Sequence, residues 1–453
     1  MSFRIARLCL CAVLLICSAC TLHDVPENPT PMVAGTTEFS VASEESKRYG
    51  AWWDDLGNDE LNDLIRKALT GNLTIRQAAA RVRQSQMLYR RARASENPFI
   101  DGVASAESSH RDSGGTDTLR ASLELIWEVD LWKRLESNTA AALYDIRTRS
   151  EDYHAFRLII SSEVALAYYD AMEQRLQLAL LEEQIKTSKT LLELTEFRVG
   201  RVEGATVVDV LQQREQLESA RAQIPVAQAQ LRLAENRLDV LLGRSPDGCD
   251  AVTKNMFPKL EGLPEVGVPA NLLIQRPDLR AEKNALVAVD YRIASAMADR
   301  YPRVRIGASL EHLNSPMMSQ DIIRSAIASA VMPIFDSGDT KAEVERRRAI
   351  FDEQLLRFSQ AYLIAIQEVE NAMYRELRQR ELLATLTKQR DIARETLKET
   401  RFRYSKGLIN YLPVLAAVQS LQRVERTLLR EQRELVENRV LLYRAIGGKL
   451  PKE

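Results

Sequence analysis

Few residues in this chain are placed to do chemistry. Its 453 residues include five cysteines and four histidines. Cys9, Cys11, Cys17 and Cys20 fall within the first twenty residues, and only Cys249 lies deep in the chain. That distribution builds neither a disulfide framework nor a cysteine metal cluster. The histidines are scattered with no ligand spacing. No Ser/His/Asp set, phosphate-binding loop or metal motif is present. The sequence therefore predicts no enzyme and calls for no cofactor. Cys249 reads as a lone thiol. The thiol marked out by its surroundings is that of Cys20.

Arg4 and Arg7 precede an apolar core from Leu8 to Ile16. That core is too short to span a bilayer as a mature helix, so residues 1–19 read as a signal peptide. The small residues Ser18 and Ala19 before Cys20 resemble the lipobox of bacterial lipoproteins. The resemblance implies cleavage before Cys20 and acylation of its thiol. The bland alternative is ordinary signal cleavage with Cys20 incidental.

Composition narrows the partners. The chain carries 62 basic and 63 acidic residues, a net charge of −1. A nucleic-acid binder carries a basic face, so nucleic acid is not an expected partner. After residue 20 no stretch is apolar enough for a transmembrane helix.

What positions these residues is a pair of long helical hairpins. Residues 339–406 contain neither glycine nor proline and are rich in good helix formers. Tyr362, Ile366, Val369 and Met373 recur at helical spacing. Such a run makes a rod of roughly 100 Å at 1.5 Å per residue. Gly407 ends it, and a second helical pattern returns from about Ile409 to Ala445. The motif occurs twice, about 204 residues apart. Phe197-Arg198 answers Phe402-Arg403, Val210-Leu211 answers Val414-Leu415, and Gly243 answers Gly447. Upstream, Arg76, Ala94 and Pro98 answer Arg280, Ala298 and Pro302.

The expected domain plan follows. Residues 20–58 form a proline-bearing tether, in which Trp52-Trp53 anchor a core. The first repeat covers 59–246: one helix over 59–94, strands at about 99–109 and 117–129, and a helical hairpin at about 133–243. Pro225 is expected to kink or break the returning helix. An irregular linker spans 247–277. The second repeat covers 278–453: a helix at 278–299, strands at about 303–311 and 323–332, and a hairpin at about 339–446. Leu119, Ala121, Leu123, Leu125, Trp127 and Val129 alternate with Arg120, Ser122, Glu124 and Glu128, the period-two signature of a strand.

Strands of this length can cross a membrane in a barrel. Four strands cannot close one, and an open edge in lipid leaves backbone groups unsatisfied. Several chains must then share one barrel. At this point the chain resembles the TolC-type outer-membrane efflux proteins, above all their lipoprotein branch in tripartite pumps. The matching residues run from Gly267-Val268-Pro269 to Arg276-Pro277-Asp278-Leu279-Arg280. They also include the tip from Gly407 to Leu415, the strand exit Glu128-Val129-Asp130-Leu131, and the lipobox. The resemblance covers the whole mature chain. It implies a mainly α fold with a small membrane β part, a tandemly duplicated helix–strand–strand–hairpin unit. It further implies a homotrimer with a shared twelve-stranded β-barrel in outer-membrane lipid and a trimeric α-barrel below. A periplasmic adaptor and an inner-membrane RND-type pump would complete the conduit. The chain would be a passive exit duct for small molecules such as drugs, opened at its periplasmic tip.

Two departures from the family pattern stand out. Val414-Leu415 is followed by Ala416-Ala417, where many relatives place an acid that narrows the aperture. Leu412, Ala416 and Gln419 are therefore the candidate lining. Asp209 in the first tip is a candidate substitute for the acid, or simply a charge favourable at a helix N-terminus. The second departure is Lys133, where relatives often have glycine. A protein-secretion duct and a pore-free lipid-anchored coiled-coil scaffold are the alternative functions. The lipobox favours small-molecule efflux over the first. The paired strands are left unexplained by the second.

Overall fold

A computed structural model describes residues 22–33, 35–40, 51–111, 114–201, 205–247, 252–264, 266–315 and 318–448. Cys20, the signal peptide, Gly204 and Cys249 lie outside them. The elements are α1 (Asp59–Gly71), α2 (Leu73–Ala94), β1 (Phe99–Arg111), β2 (Gly114–Val129), α3 (Arg134–Arg198), α4 (Val207–Leu241), α5 (Leu272–Gln275), α6 (Pro277–Ala298), β3 (Arg303–Ser315), β4 (Met318–Val331), α7 (Asp339–Ser405) and α8 (Tyr411–Ala445). No described helix is long and apolar enough to cross a membrane.

The described residues fall into two compact units. The first contains Ala78–Tyr153 and Asp278–Tyr362, with the described residues before Ala34. Its centre is a four-stranded sheet in the order β1-β2-β3-β4, antiparallel throughout. Directly paired residues share a face. One face therefore carries Leu123 with Leu310, Leu125 with Ala308, and Trp127 with Ile306. The other carries Arg120, Glu124 and Glu128, with Arg120 bonded to Glu311 at 2.8 Å. The part of the expected tether within this unit, described at residues 22–33, is held to it by hydrogen bonds. The Met32 amide donates to Ser359 Oγ at 2.9 Å, and His23 Nε2 lies 2.5 Å from Asp290 Oδ1.

The second unit contains Gly35–Gln77, His154–Pro277 and Leu363–Glu453. Trp52 and Trp53 are buried to 2% and 1% exposure, as their size predicts. The indole of Trp52 donates to Ser161 Oγ at 3.2 Å, and Tyr168 OH donates to Glu60 Oε2 at 2.7 Å.

Several sequence expectations need correction. The helix expected over 59–94 is two helices. Asn72 adopts extended backbone, and its side-chain oxygen accepts from the Thr74 and Ile75 amides at 2.8 and 3.2 Å. Asn is a strong N-cap, and this one starts a second helix. Gly71 is required there, since a Cβ would lie 2.7 Å from the Leu242 carbonyl oxygen. Pro225 does not break α4, which runs through it. Its side chain is on the exposed side, where water can satisfy the carbonyl it leaves unbonded. The linker is not wholly irregular, because a 3₁₀ turn at Pro269–Asn271 leads into α5. All four strands extend beyond their expected bounds at the loop ends.

The duplication is visible in backbone conformation. Lys133 has φ 56° and Ser337 has φ 54°, both left-handed, and their numbers differ by 204. Lys133 thus adopts the conformation glycine takes most easily. β1 and β3 start 204 residues apart (99 and 303) and end 204 apart (111 and 315).

Candidate functional site

Both hairpin tips belong to the second unit. At each, a glycine with φ 78° ends the long helix: Gly200 after α3 and Gly407 after α7. The left-handed conformation stops the helix and lets the last carbonyls find partners. At the second tip the Leu408 amide donates to the Arg403 carbonyl at 3.0 Å.

The returning helices start differently. α4 opens with a capping box. The Thr206 amide donates to Asp209 Oδ2 at 2.9 Å, and the Asp209 amide donates to Thr206 Oγ1 at 3.4 Å. Each satisfies a donor the helix start would leave bare. α8 begins at Tyr411 after Asn410, whose side chain makes no cap, and it has no acid in its first turn. It is held by burial instead. Tyr411, Val414, Leu415 and Val418 pack with Leu191, Leu397 and Tyr404 in one apolar cluster. The Tyr404 and Tyr411 rings meet edge to face at 5.9 Å, and the Arg198 guanidinium lies 4.0 Å over the Tyr404 ring.

Beside this cluster runs a buried amide network. Tyr411 OH donates to Gln213 Oε1, and Gln213 Nε2 donates to the Ser188 carbonyl at 2.7 Å. Gln216 Nε2 donates to Gln422 Oε1 at 2.9 Å, and Gln419 Nε2 donates to Gln216 Oε1 at 2.9 Å. Burial pushes the Tyr411 phenol well above its ordinary range, and the neighbouring Tyr404, Asp209 and Glu215 add to the effect. The hydroxyl therefore remains a donor at neutral pH. Sequence reasoning missed this network. Its signal was Gln213 and Gln216, three residues apart on the stripe that Val210 and Leu217 bury.

The candidate aperture residues divide into two groups. Leu412, Ala416 and Gln419 are exposed and share one stripe of α8, although Gln419 turns its amide onto Gln216 at the edge of the network. Leu412 is 64% exposed. Asp209 is half-buried, and its carboxylate is turned back onto its own helix start. The helix-start role that was the alternative for Asp209 is thus present in the structure.

Elsewhere in the unit, Arg439 ties the inter-repeat segment to the second hairpin. Its Nη2 donates to the Glu261 and Gly262 carbonyls at 3.0 and 2.9 Å and to Glu376 Oε1 at 2.5 Å. Burial alone would lower the Arg439 pKa, but the paired Glu376 carboxylate raises it overall.

A family model described as outer membrane efflux protein matches residues 64–244 and 268–448. Both ends of the second match lie 204 residues after those of the first (64 to 268, 244 to 448). The cation efflux system protein CusC of Escherichia coli K12 is 26% identical, over 98% of this chain and 99% of its own. Nodulation protein T of Rhizobium leguminosarum bv. trifolii is 27% identical over 96% of this chain and 95% of its own. The solved outer-membrane channel OprN superposes with a TM-score of 0.87 at 24% identity, covering 95% of this chain and 99% of that one.

Proposed function

The chain belongs to the outer membrane efflux protein family and is the outer-membrane channel of a tripartite efflux system; from that premise we propose how copies of it assemble and where the duct closes. The working unit is a homotrimer, lipid-anchored through Cys20. It reaches into the periplasm of a Gram-negative cell, where an adaptor and an RND-type inner-membrane pump engage it. The supporting observation is the open four-stranded sheet with one apolar face. Three such sheets supply twelve strands, and closure removes the edges that lipid cannot solvate. Relatives are named for cation and for toluene efflux, so the build is not tied to one cargo.

The gate lies at the second tip, with Leu412, Ala416 and Gln419 facing the aperture. Their shared exposed stripe supports this reading, and so does the absence of an acid in the first turn of α8. Converging acids would repel each other. Without them, closure rests on apolar contact and amide bonds. Native mass spectrometry of detergent-extracted protein tests the assembly: the expected mass is that of three chains. A stable monomer that still conducts ions would contradict it. For the anchor, mass spectrometry of the mature N-terminal peptide is expected to show acylated Cys20. An unmodified Cys20 would remove the anchor from the account.

A further inference from the structure

We propose that the polar face of the sheet carries, where β1 and β2 meet their helices, a binding pocket for an anionic amphiphile in transit. The proposal rests on the channel reading, which turns that face to the lumen, and it names a cargo class for the duct. A cavity of about 520 Å³ opens between the end of α2, the start of α3 and the sheet. Small-molecule sites are commonly of that size. All of its lining residues lie in the sheet unit of one chain. Its strand residues share the polar face, with Phe99 pairing Ile126 and Glu128 pairing Arg305. The apolar face of a barrel strand meets lipid, so the polar one lines the interior.

The lining has two halves. Leu88, Phe99 and Ile126 form an apolar wall, yet they are 61%, 51% and 47% exposed. Opposed to them are the guanidinium groups of Arg91, Arg134 and Arg305, with Glu128 as the single acid of the lining. That carboxylate is shared. Its Oε1 accepts from Arg134 at 2.7 Å, and its Oε2 lies 3.6 Å from Arg305 Nε. Asp299, outside the lining, lies 3.7 Å from Arg134 but is bonded to Arg303 at 2.5 Å. Arg91 has no ion-pair partner among the described residues. Three arginines against one glutamate leave the lining with two positive charges in excess. A cation would meet like charge here. A hydrocarbon or aromatic body bearing one carboxylate or sulfonate fits both halves, because a guanidinium grips such a group with two parallel hydrogen bonds.

The second repeat supplies the contrast. Shifted by 204, Leu88, Ser95 and Phe99 correspond to Arg292, Asp299 and Arg303. Arg292 bonds Asp145, and Arg303 bonds Asp299. Those side chains satisfy one another, whereas the positions in the first repeat keep apolar surface bare beside unbalanced charge. A duct is served by such a site only if the occupant leaves again, so binding is reversible and weak enough for passage.

The test uses full-length protein in lipid nanodiscs and isothermal titration calorimetry with naphthalene-2-sulfonate, empty nanodiscs being subtracted. The control is naphthalen-2-ylmethylammonium, the same ring with the opposite charge. The expected result is saturable binding of one sulfonate per chain, with the ammonium at least tenfold weaker. Arg91→Gln is expected to weaken sulfonate binding about tenfold, the loss of one charge-assisted contact, with native mass and helical circular dichroism unchanged. Leu88→Gln is expected to weaken it too, since the wall loses apolar area. Equal binding of the two probes, or parental binding by Arg91→Gln, would overturn the anion pocket. An intact trimer that binds neither probe would mean that the neighbouring copy fills the cavity, and would overturn it as well. Planar-bilayer conductance of the same preparation separates the two readings. A conducting channel without binding overturns the pocket alone. A chain that binds the sulfonate but conducts nothing overturns the channel reading, and the lumenal placement with it.

Discussion

The two hairpin tips descend from one duplicated unit but solve the same local problem differently. The first closes its helix start with its own side chains, through the Thr206–Asp209 capping box. The second has no such cap and depends on tertiary burial of Tyr411 and its neighbours, leaving Leu412 bare on the opposite stripe. The turns also differ in length: eight residues separate α3 from α4 (199–206), and five separate α7 from α8 (406–410). A locally capped end keeps its form whatever surrounds it. An end held by packing and an amide network changes when that packing changes. The second tip is therefore the one suited to move, and the proposed gate is placed there.

The comparison breaks most severely at Tyr411. Tyr411→Ala removes a fully buried ring and leaves Gln213 without its donor. Truncations of large core aromatics cost about 3–5 kcal/mol, so urea unfolding is expected to show a loss of that order. Planar-bilayer conductance is expected to rise with it. A variant as stable as the parent would mean that the cluster does not hold the second tip.

Charge on the exposed stripe comes next. Ala416→Asp and Leu412→Asp leave the buried cluster in place but bring like charges together in the proposed aperture. Both variants are expected to sensitise cells to antibiotics by leakage, with no change in unfolding midpoint. Unchanged sensitivity in both would move the constriction away from this stripe.

The first tip sharpens the contrast from the other side. Asp209→Ala deletes one half of the capping box and is expected to cost about 1 kcal/mol, typical for a lost cap. Because that carboxylate already serves its own helix, cation preference in bilayers is expected to stay the same. A changed preference would place Asp209 in the lumen.

The smallest effect is on pH. Burial raises the folded pKa of Tyr411 above its ordinary value of 10.0. The contribution is complete below about pH 10, where the phenol is neutral in both states. Above that the unfolded chain loses its proton first, and stability falls as pH rises toward the folded value. Tyr411→Phe is expected to flatten this alkaline loss in a pH series of thermal melts. An equally steep loss would assign it to another group.

Much of this was legible in the sequence, for reasons that differ by element. The long helices showed themselves by their lack of glycine and proline, and β2 by strict alternation. β4 was faint because Ile323, Ile327 and Val331 lie on the polar face of the sheet, while Ala326 and Ala328 lie on the apolar one. A strand at the sheet edge escapes the pattern that a buried face imposes. Asn72 looked like one more polar helix residue, since nothing local says that its side chain will cap the next helix. Of the candidate aperture, Leu412, Ala416 and Gln419 were marked by the family resemblance at the second tip, and helical spacing places them on one stripe. The amide network was not legible, because its members come from three helices that only the fold brings together.

The claim that closure rests on the second tip meets its most direct test in single-channel conductance, with Leu412→Asp and Asp209→Ala measured beside the parent under one salt condition. The expected result is a larger conductance for Leu412→Asp and parental conductance for Asp209→Ala. A parental value for Leu412→Asp together with a raised value for Asp209→Ala would contradict the account and place the gate at the first tip.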